Sequence, residues 1–184
     1  MKKIILIAFL FATTFLVAQE NYPQDINKKH EVKINALGLL AFEWVDVSYE
    51  QLINEESSFG IGILAGFDKN SDLDEYRKFS ITPFYRRYFS NKFARGFFIE
   101  GFGMLHSYDN NNYDYYFDDF GNYYENYNSV TKTEFALGFS IGGKFISKSG
   151  FTTEIYLGLG RNLGGDDNSI EAVGRGGISL GYRF

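Results

Sequence analysis

The feature that most restricts this chain is a period-two alternation of apolar and polar residues that recurs from residue 31 to the last phenylalanine. Val32, Ile34 and Ala36 alternate with Glu31, Lys33 and Asn35, and Val45, Val47 and Tyr49 alternate with Asp46, Ser48 and Glu50. Successive side chains of a strand point to opposite faces, so this spacing predicts strands with one apolar and one polar face. The pattern returns at 59–67, 79–85, 97–105, 135–145, 153–159 and 178–184, which makes eight candidate strands. Between them no apolar run approaches the roughly 20 residues of a membrane helix. The longest, Ala36 to Phe42, has seven.

The polar faces decide what surrounds such strands. They carry Glu50, Gly60, Gly62, Ser80, Thr82, Arg86, Glu100, Glu134, Gly138, Ser140, Lys144, Glu154, Gly158, Arg175, Ser179 and Arg183, a mixture of full charges with glycine and serine. A soluble sandwich would turn that face to water. A closed membrane barrel turns it inward and shows its large apolar residues to lipid. The composition of 20 Phe, 14 Tyr and 20 Gly with only two Pro agrees with an all-β chain. The predicted fold is therefore an eight-stranded antiparallel up-and-down transmembrane β-barrel over residues 20–184.

Residues 1–19 read as a cleaved secretory signal, with Lys2 and Lys3 before an apolar stretch and a small-residue exit at Ala18-Gln19. Without it, 16 bases face 23 acids, a net charge of −7, which argues against a nucleic-acid partner. The chain has no cysteine, so disulfides and thiolate chemistry are excluded. Links after strands two, four and six (54–56, 91–95 and 148–150) are short, and those after strands three, five and seven (68–75, 108–130 and 163–171) are longer. Short periplasmic turns and long outer loops are the rule for such barrels, which places both termini in the periplasm. The first outer link, 39–43, is short and apolar and breaks the trend.

Within the lumen, a turn at 91–95 sets Arg86 opposite Glu100 and Thr82 opposite Met104, and a turn at 148–150 sets Lys144 opposite Glu154. Bases Lys33, Arg86, Lys144, Arg175 and Arg183 balance acids Glu50, Glu100, Glu134 and Glu154, as mutual neutralisation in a narrow interior requires. Inner glycines leave room for these charged side chains. Aromatic residues Phe59, Tyr88, Phe89, Phe97, Phe98, Phe145, Phe151, Tyr182 and Phe184 fall at the short-turn ends, where the outward ones form an interfacial belt.

The final Gly181-Tyr182-Arg183-Phe184 resembles the C-terminal signature by which the barrel-assembly machinery of Gram-negative bacteria recognises outer-membrane proteins, with Tyr182 and Phe184 as the assembly signal. With the export signal and the strand count, the chain resembles small barrels of the OmpA/OmpX-like superfamily. Thr82-Pro83-Phe84-Tyr85-Arg86-Arg87-Tyr88-Phe89 followed by Gly96-Phe97-Phe98-Ile99-Glu100-Gly101 resembles a family of short barrels known only as domains of unknown function. The resemblance implies an outer-membrane location among lipid and lipopolysaccharide, and it identifies a destination rather than an activity.

Chemistry is sparse. His30 and His106 are far apart and lack metal-ligand spacing, so neither a metal site nor a cofactor is expected. His106-Ser107 near the outer end of strand five is the one hint of a lipid A-modifying enzyme, but adjacent strand residues point to opposite faces. The unusual surface is the third outer loop. Asp109, Asp114, Asp118, Asp119 and Glu125 mix there with Tyr113, Tyr115, Tyr116, Tyr123, Tyr124 and Tyr127 among asparagines, a composition suited to recognition. A protein, a glycan or divalent cations bridging lipopolysaccharide would suit it. The expected role is structural or interactive rather than enzymatic, with a narrow channel for small or hydrophobic solutes as the alternative.

Overall fold

The computed structural model describes residues 27–67, 77–117, 123–164 and 171–184, with the backbone alone for 111–128. The leader read at 1–19 lies outside the described residues. Strands β1 (His30–Asn35), β2 (Trp44–Leu52), β3 (Ser57–Gly66), β4 (Phe79–Tyr88), β5 (Gly96–Phe117), β6 (Tyr123–Ile146), β7 (Phe151–Asn162) and β8 (Ala172–Arg183) form a closed antiparallel barrel in sequence order. Closure is made by β1 on β8, from Glu31 opposite Arg183 to Asn35 opposite Ser179. His30 and Phe184 exchange backbone hydrogen bonds of 3.1 and 2.8 Å at the end of that seam, so the described barrel has no strand edge there.

The radial distribution is inverted relative to a soluble domain. Phe139, Leu157 and Leu159 stand on the outside at 70% exposure or more, whereas Glu31, Glu50, Glu100 and Arg183 on the inside are 0% exposed. The alternation has therefore been resolved with apolar side chains outward on every strand.

Three sequence expectations are corrected. Residues Ala36–Phe42 form a short helix, α1, rather than a strand end and a loop. Their composition (Ala, Leu, Gly, Leu, Leu, Ala, Phe) has no alternating polar residue and favours helix. The Asn35 side chain caps the start by accepting from the Gly38 N–H at 3.1 Å, and Glu43 ends the helix in the left-handed region at φ 54°. The loop expected at 108–130 is instead a ribbon in which β5 and β6 stay paired from Tyr108 opposite Lys132 to Phe117 opposite Tyr123. Tyrosine, threonine and valine favour the pleated backbone, and the many asparagines obscured it.

The aromatics at the short-turn ends divide by face. Tyr88 and Phe98 point into the lumen and pack on Leu52, Ala94 and Tyr156, while Phe59, Phe89, Phe97, Phe151, Tyr182 and Phe184 face outward. Inner glycines also serve rings as much as charges: Phe84 lies over Gly60, Phe102 over Gly138 and Phe98 over Gly142, each across a strand pair. A side chain at 138 would fall on the Phe102 ring and on the Leu159 carbonyl at 2.5 Å. Replacing Gly138 by valine should cost about 1–3 kcal/mol through overpacking, read as a lower urea midpoint in detergent. A midpoint equal to that of the parent would show that the ring can move aside.

Candidate functional site

The lumen is organised around Glu50 on β2. Its carboxylate accepts from Ser58 Oγ at 2.6 Å, Tyr88 OH at 2.5 Å, Lys144 Nζ at 2.7 Å, Arg86 Nη1 at 3.0 Å and Lys33 Nζ. Arg86 extends the network by pairing both terminal nitrogens with Glu154, at 2.6 and 2.7 Å, and its Nε with Glu100 at 2.6 Å. Glu100 also binds Arg175 and accepts from Ser140 at 3.0 Å. Glu31 receives Lys144 at 2.8 Å and Arg183 Nε at 2.7 Å, and Arg183 goes on to donate to the carbonyls of Phe93 and Ala94 at 3.2 and 2.8 Å. Five cations and four carboxylates from seven strands thus form one connected set, and through Arg183 it ties in the turn that closes the bottom of the barrel.

Aromatic faces complete the lining. The Arg86 guanidinium lies 4.3 Å from the Phe98 ring centre and 4.6 Å from that of Phe84, and the Arg175 guanidinium lies 5.1 Å from the same Phe84 ring centre. Each cation so placed gains attraction from the ring quadrupole in a region without water-like screening.

Of the charges expected in this network, Arg86, Glu100, Lys144, Glu154, Glu50, Arg175 and Arg183 are in it, and Glu134 is not. Glu134 sits nearer the rim, accepting from Tyr108 OH at 3.0 Å and Asn162 Nδ2 at 2.6 Å, with His106 Nε2 2.9 Å from Asn162 Oδ1. Arg86 is opposite Glu100 in register and bonded to it. Lys144 is opposite Glu154 as expected, but its ammonium crosses to Glu31 and Glu50, while Glu154 takes Arg86 and Lys33. In so narrow a barrel long side chains reach across the lumen as readily as along one face. Glu31 was missed as a lumen acid, although its place two residues before Lys33 on the polar face of β1 was the available signal.

Toward the rim, a cavity of about 50 Å³ remains between Asn35, Asp46, Arg77 and Arg175. Arg77, just before β4, is buried and donates to the Gly174 carbonyl at 2.7 Å. Burial draws its guanidinium down to about 10, with Asp46 opposing the change. His106 is buried on the inner face, Ser107 lies on the outer one, and no nucleophile and base pair arises from them. Among the described residues no three His, Cys, Asp or Glu side chains gather as a metal site.

On the ribbon, Asp114 faces Asn126 in register, Tyr115 faces Glu125, and Tyr116 faces Tyr124 next to the last pair, Phe117 with Tyr123. Asp118 and Asp119 lie outside the described residues. Asp109 at the ribbon's base accepts from Lys78 at 2.9 Å and Thr131 at 2.7 Å. Partial burial would raise its carboxyl, but the Thr131 hydroxyl and the Lys78 ammonium hold it below the ordinary range. Asp109 is thus engaged within the protein.

A closed eight-stranded barrel with an apolar exterior and an ion-paired interior is the class of protein these observations define. The crystal structure of the N-terminal β-barrel domain of Pseudomonas aeruginosa OprF has the same fold, with a TM-score of 0.57 at 10% identity over 85% of this chain and 98% of that one. The chain belongs to the family described as a protein of unknown function, DUF3575, whose model matches residues 4–172. No curated protein matches it.

Proposed function

We propose that this chain is an outer-membrane barrel with periplasmic termini, exported by its leader and assembled through Tyr182 and Phe184, whose lumen is structural and whose recognition surface is the ribbon at 108–130. The observation that carries the reading is the division of charge. The cations and carboxylates of the network around Glu50 are consumed by one another, whereas the ribbon extends the two longest strands beyond the barrel with an acidic and tyrosine-rich sequence. The outward band of Val, Ile, Leu and Phe suits lipid, and Tyr182 and Phe184 stand exposed on it at the turn end. A protein, a glycan or a lipopolysaccharide-bridging cation is the kind of partner such a ribbon would hold. A channel is disfavoured by the ion-pair network that fills the lumen below the cavity of about 50 Å³ at the rim.

The protein should fractionate with outer membranes and run faster in unboiled than in boiled SDS samples, because a closed barrel satisfies its own backbone groups and resists the detergent. It should give no sustained conductance in planar bilayers. Recovery as a soluble periplasmic protein would refute the membrane placement, and a reproducible open pore would refute the structural lumen.

A further inference from the structure

The barrel wall is incomplete at one place. Pairing of β1 with β2 ends at Ile34 opposite Val47, and pairing of β1 with β8 ends at Asn35 opposite Ser179, although β2 begins at Trp44 and β8 at Ala172. The rimward halves of β2 and β8 therefore have no strand between them. Helix α1 packs in the gap, and two side chains take over the ladder's work on the exposed edge of β8: Asn35 donates to the Gly176 carbonyl at 3.1 Å and Arg77 to that of Gly174.

Outside this gap lies an apolar groove of about 710 Å³, a size within the range of pockets that take small ligands. Gly174 and Gly176 form its floor on the outer face of β8, with Leu157, Leu159 and Leu37 as walls and Trp44 and Arg77 at its rim end. Arg77 lines both this groove and the inner cavity. It is 7% exposed, its Nε has no hydrogen-bond partner, and its guanidinium rests 5.9 Å from the Trp44 ring centre. Every other buried lumen cation described above has a carboxylate, but among the described residues none bridges Arg77, and Asp46 is engaged with Asn35. A buried cation that no carboxylate bridges, at the end of an apolar groove, fits an anionic amphiphile.

We propose that the gap between β2 and β8 binds a membrane lipid with a phosphate headgroup, its phosphate on Arg77 and one acyl chain along Gly174 and Gly176. The inference rests on the membrane placement proposed above, and the two can fail separately. Trp44 is the only tryptophan and reports on the site directly. Protein refolded in nonionic micelles should show saturable quenching of Trp44 fluorescence by phosphatidic acid carrying brominated chains, reversed by the unbrominated lipid. Arg77→Gln should raise the half-saturating concentration at least tenfold, Arg77→Lys less, and Gly176→Leu should abolish saturation by filling the floor. Should Arg77→Gln fail to give the folded gel band, Gly176→Leu and the choice of headgroup decide.

Quenching that rises linearly with lipid content, or that is equal for a brominated diacylglycerol, which lacks the phosphate, would overturn the proposal while leaving the barrel intact. Tighter binding of a brominated fatty acid would overturn the phosphate headgroup in favour of a free carboxylate. A sedimenting dimer that shields Trp44 from every lipid would overturn it in favour of a second copy of this chain. Failure of the parent chain to fold in micelles would refute the membrane placement, and with it the site.

Discussion

Replacing Glu50 by leucine should destabilise the barrel by about 3–5 kcal/mol, the expected scale for breaking a buried charge network from one side. Glu50 is fully buried and accepts from Lys33, Arg86 and Lys144 together with two hydroxyls. Its removal leaves Lys144 with Glu31 and Lys33 with Glu154, and five cations facing three carboxylates. The measurement is a urea or guanidinium titration in detergent, with gel mobility as the test of folding. Adding Lys144→Met to Glu50→Leu should recover a large part of the loss, because the stranded ammonium is then gone. The same logic makes Arg86 and Glu100 strongly non-additive, since each is the other's partner at 2.6 Å. Additive effects in either cycle would mean that the lumen admits enough water to solvate a lone charge, and the reading of a sealed interior would fall.

The sequence revealed this much of the interior because a barrel strand has only two faces. Once the apolar residues at 59–67 or 135–145 are assigned outward, Glu50, Arg86, Glu100 and Lys144 have nowhere to go but the lumen, and the tight turn before Phe97 sets Arg86 beside Glu100. What alternation does not contain is the third dimension of the lumen. Lys144 and Glu154 are neighbours in register, yet Lys144 binds carboxylates on β1 and β2, because five flexible cations settle together on the arrangement that satisfies most acceptors. Pair rules along one strand boundary miss that collective solution.

The helix at Ala36–Phe42 was illegible for a different reason. A period-two pattern that simply stops gives no sign of whether a loop or a helix follows, and a seven-residue run of Ala, Leu, Gly and Phe fits either. Its consequence is the wall gap beside β8, which depends on β1 ending at Asn35, seven residues short of the helix end at Phe42, while β8 continues to Ala172 on the rim side. Arg77 likewise drew no notice in the sequence, because it lies before β4 in a charged stretch. Its burial and its bond to Gly174 on β8 come only from closure of the barrel.

Excising 111–129 and joining Asn110 to Val130 through a two-residue Asn-Gly turn should leave the barrel folded with nearly unchanged denaturant resistance, while any binding of cells, glycans or calcium to the protein is lost. Asn110 and Val130 are already opposite one another, so the new turn closes an existing ladder instead of imposing a register. The interactions that anchor the rim all survive the cut: Asp109 keeps Lys78 and Thr131, and Tyr108 keeps Glu134. Beyond that level the ribbon is two strands wide, and an isolated pair contributes little stability of its own. Asp114, Tyr115, Tyr116, Tyr123 and Tyr124 belong to that paired stretch, toward its far end. If the shortened chain loses its heat-modifiable gel shift, the ribbon is part of the folding unit and its length is architectural. If it folds and binding to intact cells persists, recognition lies elsewhere on the barrel, and the groove beside Trp44 becomes the surface to test.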